Sequence, residues 1–282
     1  MATVEAGTLA AAGFAIEYEH ISVGQAGPTL VLLHEGLGCV AMWRGFPAQL
    51  GVTTGLSVLS YSRPGYGRSS PVALPRPLDF HTHDAQIVLP AVLAATDIDE
   101  YILIGHSDGA SIAVIYAGAC RDPRLRGLVL MAPHVLTEPK TVANIAVAKQ
   151  GFVSTDLRDK LQRYHGDNVD CAFRGWCDAW LDGGFANWDI TDYLRTINVP
   201  VLTIRGDDDA YNTATHVERI VSGVGGRVRR VDLANCGHAP HVEQPEQVLL
   251  AVSEFVAMVD SQVMSAGVGP ADVGPTNLDA VY

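Results

Sequence analysis

The residues best suited to covalent chemistry lie in the stretch 101–109, YILIGHSDG, where Gly105, Ser107 and Gly109 form a G-x-S-x-G pattern. A short apolar run precedes the pattern and a helix-forming run, ASIAVIYAG over 110–118, follows it. Passing from strand to helix in so few residues forces strained dihedrals on the residue at the apex. Its neighbours two positions away on either side must then be small to avoid collision. The serine oxygen is held in the open above a helix N-terminus, where backbone N–H groups and the helix dipole favour developing negative charge. An ordinary strand-to-helix turn also contains glycine and serine, so the residues further along the chain must separate the two readings.

A serine hydroxyl is a weak nucleophile and needs an adjacent base, which needs an anchor of its own. Acids follow in Gly206-Asp207-Asp208-Asp209, after the apolar run 201–204. Histidines follow in Asn235-Cys236-Gly237-His238 and at His241, after an apolar segment near 230. From residue type alone, Asp207, Asp208 and Asp209 compete as the acid, and His238 and His241 as the base.

The elements that must position these groups read as repeated strand–helix units. Residues 14–22 alternate apolar and polar, as a half-exposed edge strand does. Residues 29–33, 57–61, 101–106 and 127–131 are short apolar runs suited to strands covered on both faces. Helical spacing over 80–95 and 108–119 separates them, which predicts a mostly parallel sheet. From 135 to 196 the chain is helical and carries Trp176, Trp180 and Trp188, without a convincing strand. Strands resume near 198–205 and 227–233, with helices near 213–222 and 245–260. In such a sheet the loops at the C-terminal strand ends line one crevice, and Ser107, the three aspartates and His238 all fall there.

The chain has 282 residues, 48% apolar and 18% charged, with a formal net charge of -12. That length and composition suit a folded protein with a large core, and the acidic balance without a basic run argues against nucleic-acid binding. Five cysteines, Cys39, Cys120, Cys171, Cys177 and Cys236, show no zinc-ligand spacing and read as reduced thiols. The first residues lack the pattern of a signal peptide, and no apolar run approaches a membrane span. The expectation is a cytoplasmic protein without metal or cofactor, acting on a small molecule, with its oligomeric state unreadable.

Five elements in order resemble the α/β-hydrolase superfamily over roughly residues 14–258. They are the loop His34–Gly38, the Arg-x-Gly-x-Gly-x-Ser-like loop Arg63–Ser69, the G-x-S-x-G turn, the Gly-x-x-Asp loop Gly206–Asp209, and the Gly-His-x-x-His-x-Glu-x-Pro run from Gly237 to Pro245. The chain departs from the family at Glu35, which stands where the pattern has glycine. The resemblance implies an α/β-hydrolase core over 1–134 and 197–260, a helical cap over 135–196, and a flexible tail over 261–282. It also implies that Ser107 is the nucleophile, His238 its base and Asp209 the acid, selected by the Gly-x-x-Asp match. The oxyanion donors it implies are the backbone N–H of Asp108 and one from the loop after the first central strand, Gly36 in preference to Glu35.

Several neighbours have plainer readings. Arg63 and Arg68 read as structural salt bridges or carbonyl clamps, His34 as a structural hydrogen-bonding residue, and His241 as a surface or cap-facing one. Trp176, Trp180 and Trp188 are candidates to line an apolar substrate pocket, with at least one of them serving the cap core. Glu35 and Asp108 flank a site where bare carboxylates oppose an oxyanion. Their side chains are expected to turn away or to find a partner such as an arginine, unless they attract a cationic group on a substrate.

The leading functional expectation is a serine hydrolase of esters or lactones working through an acyl-enzyme. Hydrolysis of a C–C bond in a vinylogous diketone would use the same three residues. A ligand receptor on a hydrolase scaffold is the alternative from a different class.

Overall fold

The computed structural model describes residues 2–24 and 26–267. Eight strands form one sheet: β1 (Thr3–Ala11), β2 (Phe14–Ser22), β3 (Thr29–Leu33), β4 (Val58–Tyr61), β5 (Tyr101–His106), β6 (Leu125–Met131), β7 (Val201–Gly206) and β8 (Val228–Leu233). Their spatial order is β1-β2-β4-β3-β5-β6-β7-β8. Pairs from β4 through β8 are parallel, while β2 runs antiparallel to both β1 and β4.

The sheet edge differs from the sequence expectation. Residues 14–22 are a strand, but β1 covers them and forms the edge itself. β1 is rich in alanine, glycine and threonine and nearly all exposed, so no apolar alternation marks it. The only local signal is the turn Ala12-Gly13, where both residues have positive φ (52° and 81°), as a two-residue hairpin demands.

The central strands β3, β4 and β5 are almost wholly buried, and one apolar core lies on each sheet face. The helix Asp108–Cys120 is buried from Asp108 through Gly118, which explains why its sequence is apolar all round rather than striped. Between β6 and β7 lie helices Pro139–Ser154, Leu157–His165 and Val169–Trp180. They build a third apolar cluster around Phe152, Phe173, Trp176 and Trp180, with Phe152 and Phe173 stacked at 3.8 Å between ring centroids. Helix Pro245–Gly267 runs through the first residues of the segment 261–282 expected as a tail. The rest of that segment, 268–282, lies outside the described residues. All five cysteines are free, and among the described residues no helix is long and apolar enough to cross a membrane.

Candidate active site

Strand β5 ends at His106, and Ser107 follows with φ 53° and ψ -116°, a conformation that L residues rarely adopt. Three backbone hydrogen bonds hold this strained apex. The Ser107 N–H donates to the Met131 carbonyl at 2.9 Å, and the Ala110 and Ser111 N–H groups donate to the Ser107 carbonyl at 2.9 and 3.1 Å. The two flanking glycines are required by space. A Cβ on Gly109 would stand 2.0 Å from the Leu33 carbonyl oxygen, and one on Gly105 would stand 2.4 Å from that of Gly109.

The three residues from separate strand ends meet in one hydrogen-bonded line. Ser107 Oγ lies 3.0 Å from His238 Nε2, and His238 Nδ1 lies 2.8 and 2.9 Å from the Asp209 carboxylate oxygens. Because a carboxylate only accepts, Nδ1 carries the proton and Nε2 is left to accept from serine. Asp209 is fully buried and accepts further bonds from the Tyr211 and Asn212 N–H groups at 2.7 and 3.2 Å. Burial works against its charge, but His238 and those two N–H groups outweigh it and hold the carboxyl below its ordinary pKa. The rivals are elsewhere. Asp207 and Asp208 are exposed, and Asp207 pairs with Arg205 at 2.8 Å. His241 is not a surface or cap-facing residue either. It is 6% exposed and packed between Trp43, Phe46 and His106, and burial lowers its pKa to about 3.

The loop that carries His238 is held by residues to which sequence reasoning assigned no role. The Glu243 carboxylate accepts from the N–H groups of Gly237 and Ala239, on either side of His238, at 2.6 and 3.0 Å. Its recurrence in the Gly-His-x-x-His-x-Glu run was the available signal. On the opposite side His106 Nε2 donates to the His238 carbonyl at 2.7 Å. Gly206 lets the end of β7 approach, since a Cβ there would fall 2.1 Å from the Cys236 carbonyl oxygen.

Both unexpected carboxylates find partners, but those partners are histidine and tryptophan rather than arginine. Glu35 Oε2 lies 3.6 Å from His106 Nδ1, too long for a hydrogen bond and close enough for strong attraction. With Nε2–H committed to a carbonyl, a neutral His106 would turn a lone pair towards Glu35. Burial opposes a proton on Nδ1, but the Glu35 carboxylate outweighs burial and raises the His106 pKa. For Glu35 likewise, burial favours the neutral acid, yet His106 and the other nearby histidines hold it well below the usual carboxylate range. Asp108 accepts from the Trp180 indole N–H at 3.3 Å, and its other oxygen lies 3.3 Å from His81 Nε2.

Arg63 performs both structural roles read from sequence. It donates to the Glu35 carbonyl at 2.9 Å and approaches Asp84 at 3.8 Å. His34 bridges backbones, accepting from the Arg63 N–H at 3.0 Å and donating to the Glu35 carbonyl at 2.7 Å. Arg68 is exposed and sits 4.0 Å from Glu17.

A cavity of about 270 Å³ opens over Ser107 and His238. Glu35, Gly36 and Asp108 line it together with Trp176 and Trp180. Trp176 lies tightly over Gly36, where a Cβ would stand 2.2 Å from its indole nitrogen. Trp188 stacks on Phe185 at 5.2 Å instead and belongs to the aromatic packing behind the cavity. His134 also lines the cavity and was not singled out from sequence, where an isolated Pro-His step carries no pattern.

A buried parallel sheet, a strained serine at the strand-to-helix turn, and an acid and a histidine returning to it from later strands define an α/β hydrolase. The model of the Alpha/beta hydrolase family matches residues 30–252, and the chain belongs to that family. Among curated proteins it is 29% identical over 241 residues to an N-formylmaleamate deformylase of Pseudomonas putida, covering 82% of this chain and 83% of that one. Among solved structures it resembles a bacterial membrane phospholipase A with a TM-score of 0.74 and 21% identity, over 91% of this chain and 87% of that one. The enol-lactonase of Burkholderia xenovorans LB400 aligns with a TM-score of 0.69 and 20% identity, over 89% and 100% of the two chains. At those identities the structural likenesses bear on the fold alone.

Proposed function

We propose that this hydrolase cleaves carboxylic esters or lactones through an acyl-enzyme formed on Ser107. The observation that carries the reading is the Ser107–His238–Asp209 line, with every link between 2.8 and 3.0 Å. Ser107 Oγ attacks the acyl carbon while His238 Nε2 takes its proton. Asp209 holds the ring and stabilises the imidazolium. The carbonyl oxygen, now negative, accepts from the backbone N–H groups of Asp108 and Gly36, which border the same cavity. Collapse breaks the C–O bond, and the departing alkoxide takes the proton from Nε2; in a lactone it remains attached as a hydroxyl. Water then gives a proton to His238 and attacks the acyl-enzyme, releasing the acid and restoring serine.

The helical segment 135–196 serves as the lid of this site, since Ile145, Leu161, Trp176 and Trp180 border the cavity from that side. Leu37, Met42 and Tyr211 complete a largely apolar lining suited to a small or medium organic substrate.

A second reading rests on the similarity to the deformylase: the same three residues would attack an N-formyl carbonyl and expel an amide nitrogen. Turnover of p-nitrophenyl acetate, lost on the order of 10³-fold or more in Ser107→Ala, tests the nucleophile. No Ser107-dependent turnover and no labelling by a fluorophosphonate would leave a receptor on a hydrolase scaffold. A panel of esters, lactones and N-formyl amides with products identified by mass distinguishes the two enzymatic readings.

A further inference from the structure

The cavity over Ser107 has a definite charge pattern. Its walls carry two carboxylates, Glu35 and Asp108, and among the described residues neither a lysine nor an arginine borders it. The nearest guanidinium groups are committed below it. Arg63 is spent on the Glu35 carbonyl and Asp84, and Arg76 lies 3.5 Å from the same Asp84 and donates to the Pro64 carbonyl at 3.1 Å.

The remaining polar lining does not reverse the sign. His134 is 2% exposed with no partner at Nδ1, and burial among other histidines keeps it neutral, so it offers a hydrogen bond but no charge. His106 carries at most one positive charge, and its Nε2 proton is already given to the His238 carbonyl. Asp108 is fully buried between Trp180 and His81. Glu35 is different. Its side chain keeps 24% of its surface exposed, and its charged neighbour is His106 Nδ1 at 3.6 Å. Beside it the Trp176 indole lies over Gly36, and tryptophan is the aromatic ring that best attracts an ammonium group.

Resting on the ester-hydrolase reading above, we propose that the cavity selects its substrate by charge: it takes neutral and ammonium-bearing substrates and turns away carboxylate-bearing ones, with Glu35 as the residue that sets the sign. A carboxylate entering this space would lose its hydration and meet a His106 whose charge is already matched by Glu35 at 3.6 Å. An ammonium group would meet the Glu35 carboxylate and the indole of Trp176, which line the same space.

Three p-nitrophenyl esters of matched shape test this: the 4-(trimethylammonio)butanoate, its uncharged carbon isostere 5,5-dimethylhexanoate, and the hemiglutarate. In the wild type, kcat/KM is expected to fall about tenfold from the cationic to the neutral ester and about tenfold again to the anionic one. In Glu35→Gln, which keeps the shape, the cationic-to-neutral ratio is expected within about threefold of unity. Reading ratios within each protein cancels any general loss of activity. A wild type that cleaves the hemiglutarate as fast as the isostere overturns the proposal, as does a Glu35→Gln enzyme with the wild-type ratio. Should Glu35→Gln not fold, inhibition of the wild type decides: phenyltrimethylammonium must compete better than benzoate, and the reverse order overturns the idea. Failure of the ester reading itself is distinct, since no Ser107-dependent cleavage of even the neutral ester would then be seen.

Discussion

Asp108, the residue after the elbow serine, accepts a hydrogen bond at 3.3 Å from the indole of Trp180, at the end of the third helix of the insert. One side chain therefore couples the backbone N–H proposed for the oxyanion hole to the element proposed as the lid. Trp180 is 2% exposed and Asp108 1%, so the bond is shielded from bulk water.

Trp180→Phe keeps an aromatic ring and removes the donor. The Asp108 oxygen then loses its indole donor, which costs about 1–3 kcal/mol of stability. Turnover of a neutral ester is expected to drop about tenfold, as the elbow loses one restraint. Urea unfolding and kcat measured on the same preparation check this. An unchanged unfolding midpoint would show that the contact contributes nothing.

Glu243 is a positioning residue for His238, because its carboxylate accepts from the N–H groups on both sides of that histidine. It is exposed, so Glu243→Ala should cost only about 1 kcal/mol of stability. The expected fall in kcat is larger, roughly 10- to 100-fold, with KM moved less, because a small misplacement of His238 weakens every proton transfer. Partial rescue in Glu243→Gln, which keeps one acceptor oxygen, is the accompanying expectation. Equal kcat in wild type and Glu243→Ala would refute the role.

His241 links the packing to acid stability. Burial lowers its pKa to about 3, against about 6.5 for a free histidine, so below neutrality the unfolded chain takes a proton that the folded chain refuses. The stability it supports is fully present above pH 6.5 and is lost as pH falls towards 3. At about 1.4 kcal/mol per pH unit, roughly 3 kcal/mol is gone by pH 4. His241→Phe cannot titrate, so its loss of stability between pH 7 and pH 4 should be smaller by about that amount. Parallel pH dependences for the two proteins, measured by urea unfolding, would contradict the assignment.

The fold was legible wherever burial leaves a pattern. Strands β3, β5, β6 and β7 read as short apolar runs because helices cover both their faces. β1 was missed because an exposed edge strand needs no apolar residues, and its pairing with β2 comes from backbone hydrogen bonds that any side chains permit. His241 was misplaced for a related reason. Its spacing from His238 is visible, but the ring's direction depends on Trp43 and Phe46, about two hundred residues earlier in the chain.

The sequence by itself determined the α/β-hydrolase family and the residues that converge at the crevice. Gly105 and Gly109 must be small for Ser107 to sit at the apex, and Ser107, Asp209 and His238 occupy strand ends that a parallel sheet brings to one side. Tertiary structure alone decided how Glu35 and Asp108 are accommodated. Their partners His106, His81 and Trp180 lie between 27 and 72 positions away and come close only when the sheet, the segment after residue 80 and the helical insert pack together. A carboxylate's charge is visible in a sequence, but what neutralises it depends on distances of a few ångströms that no local spacing encodes.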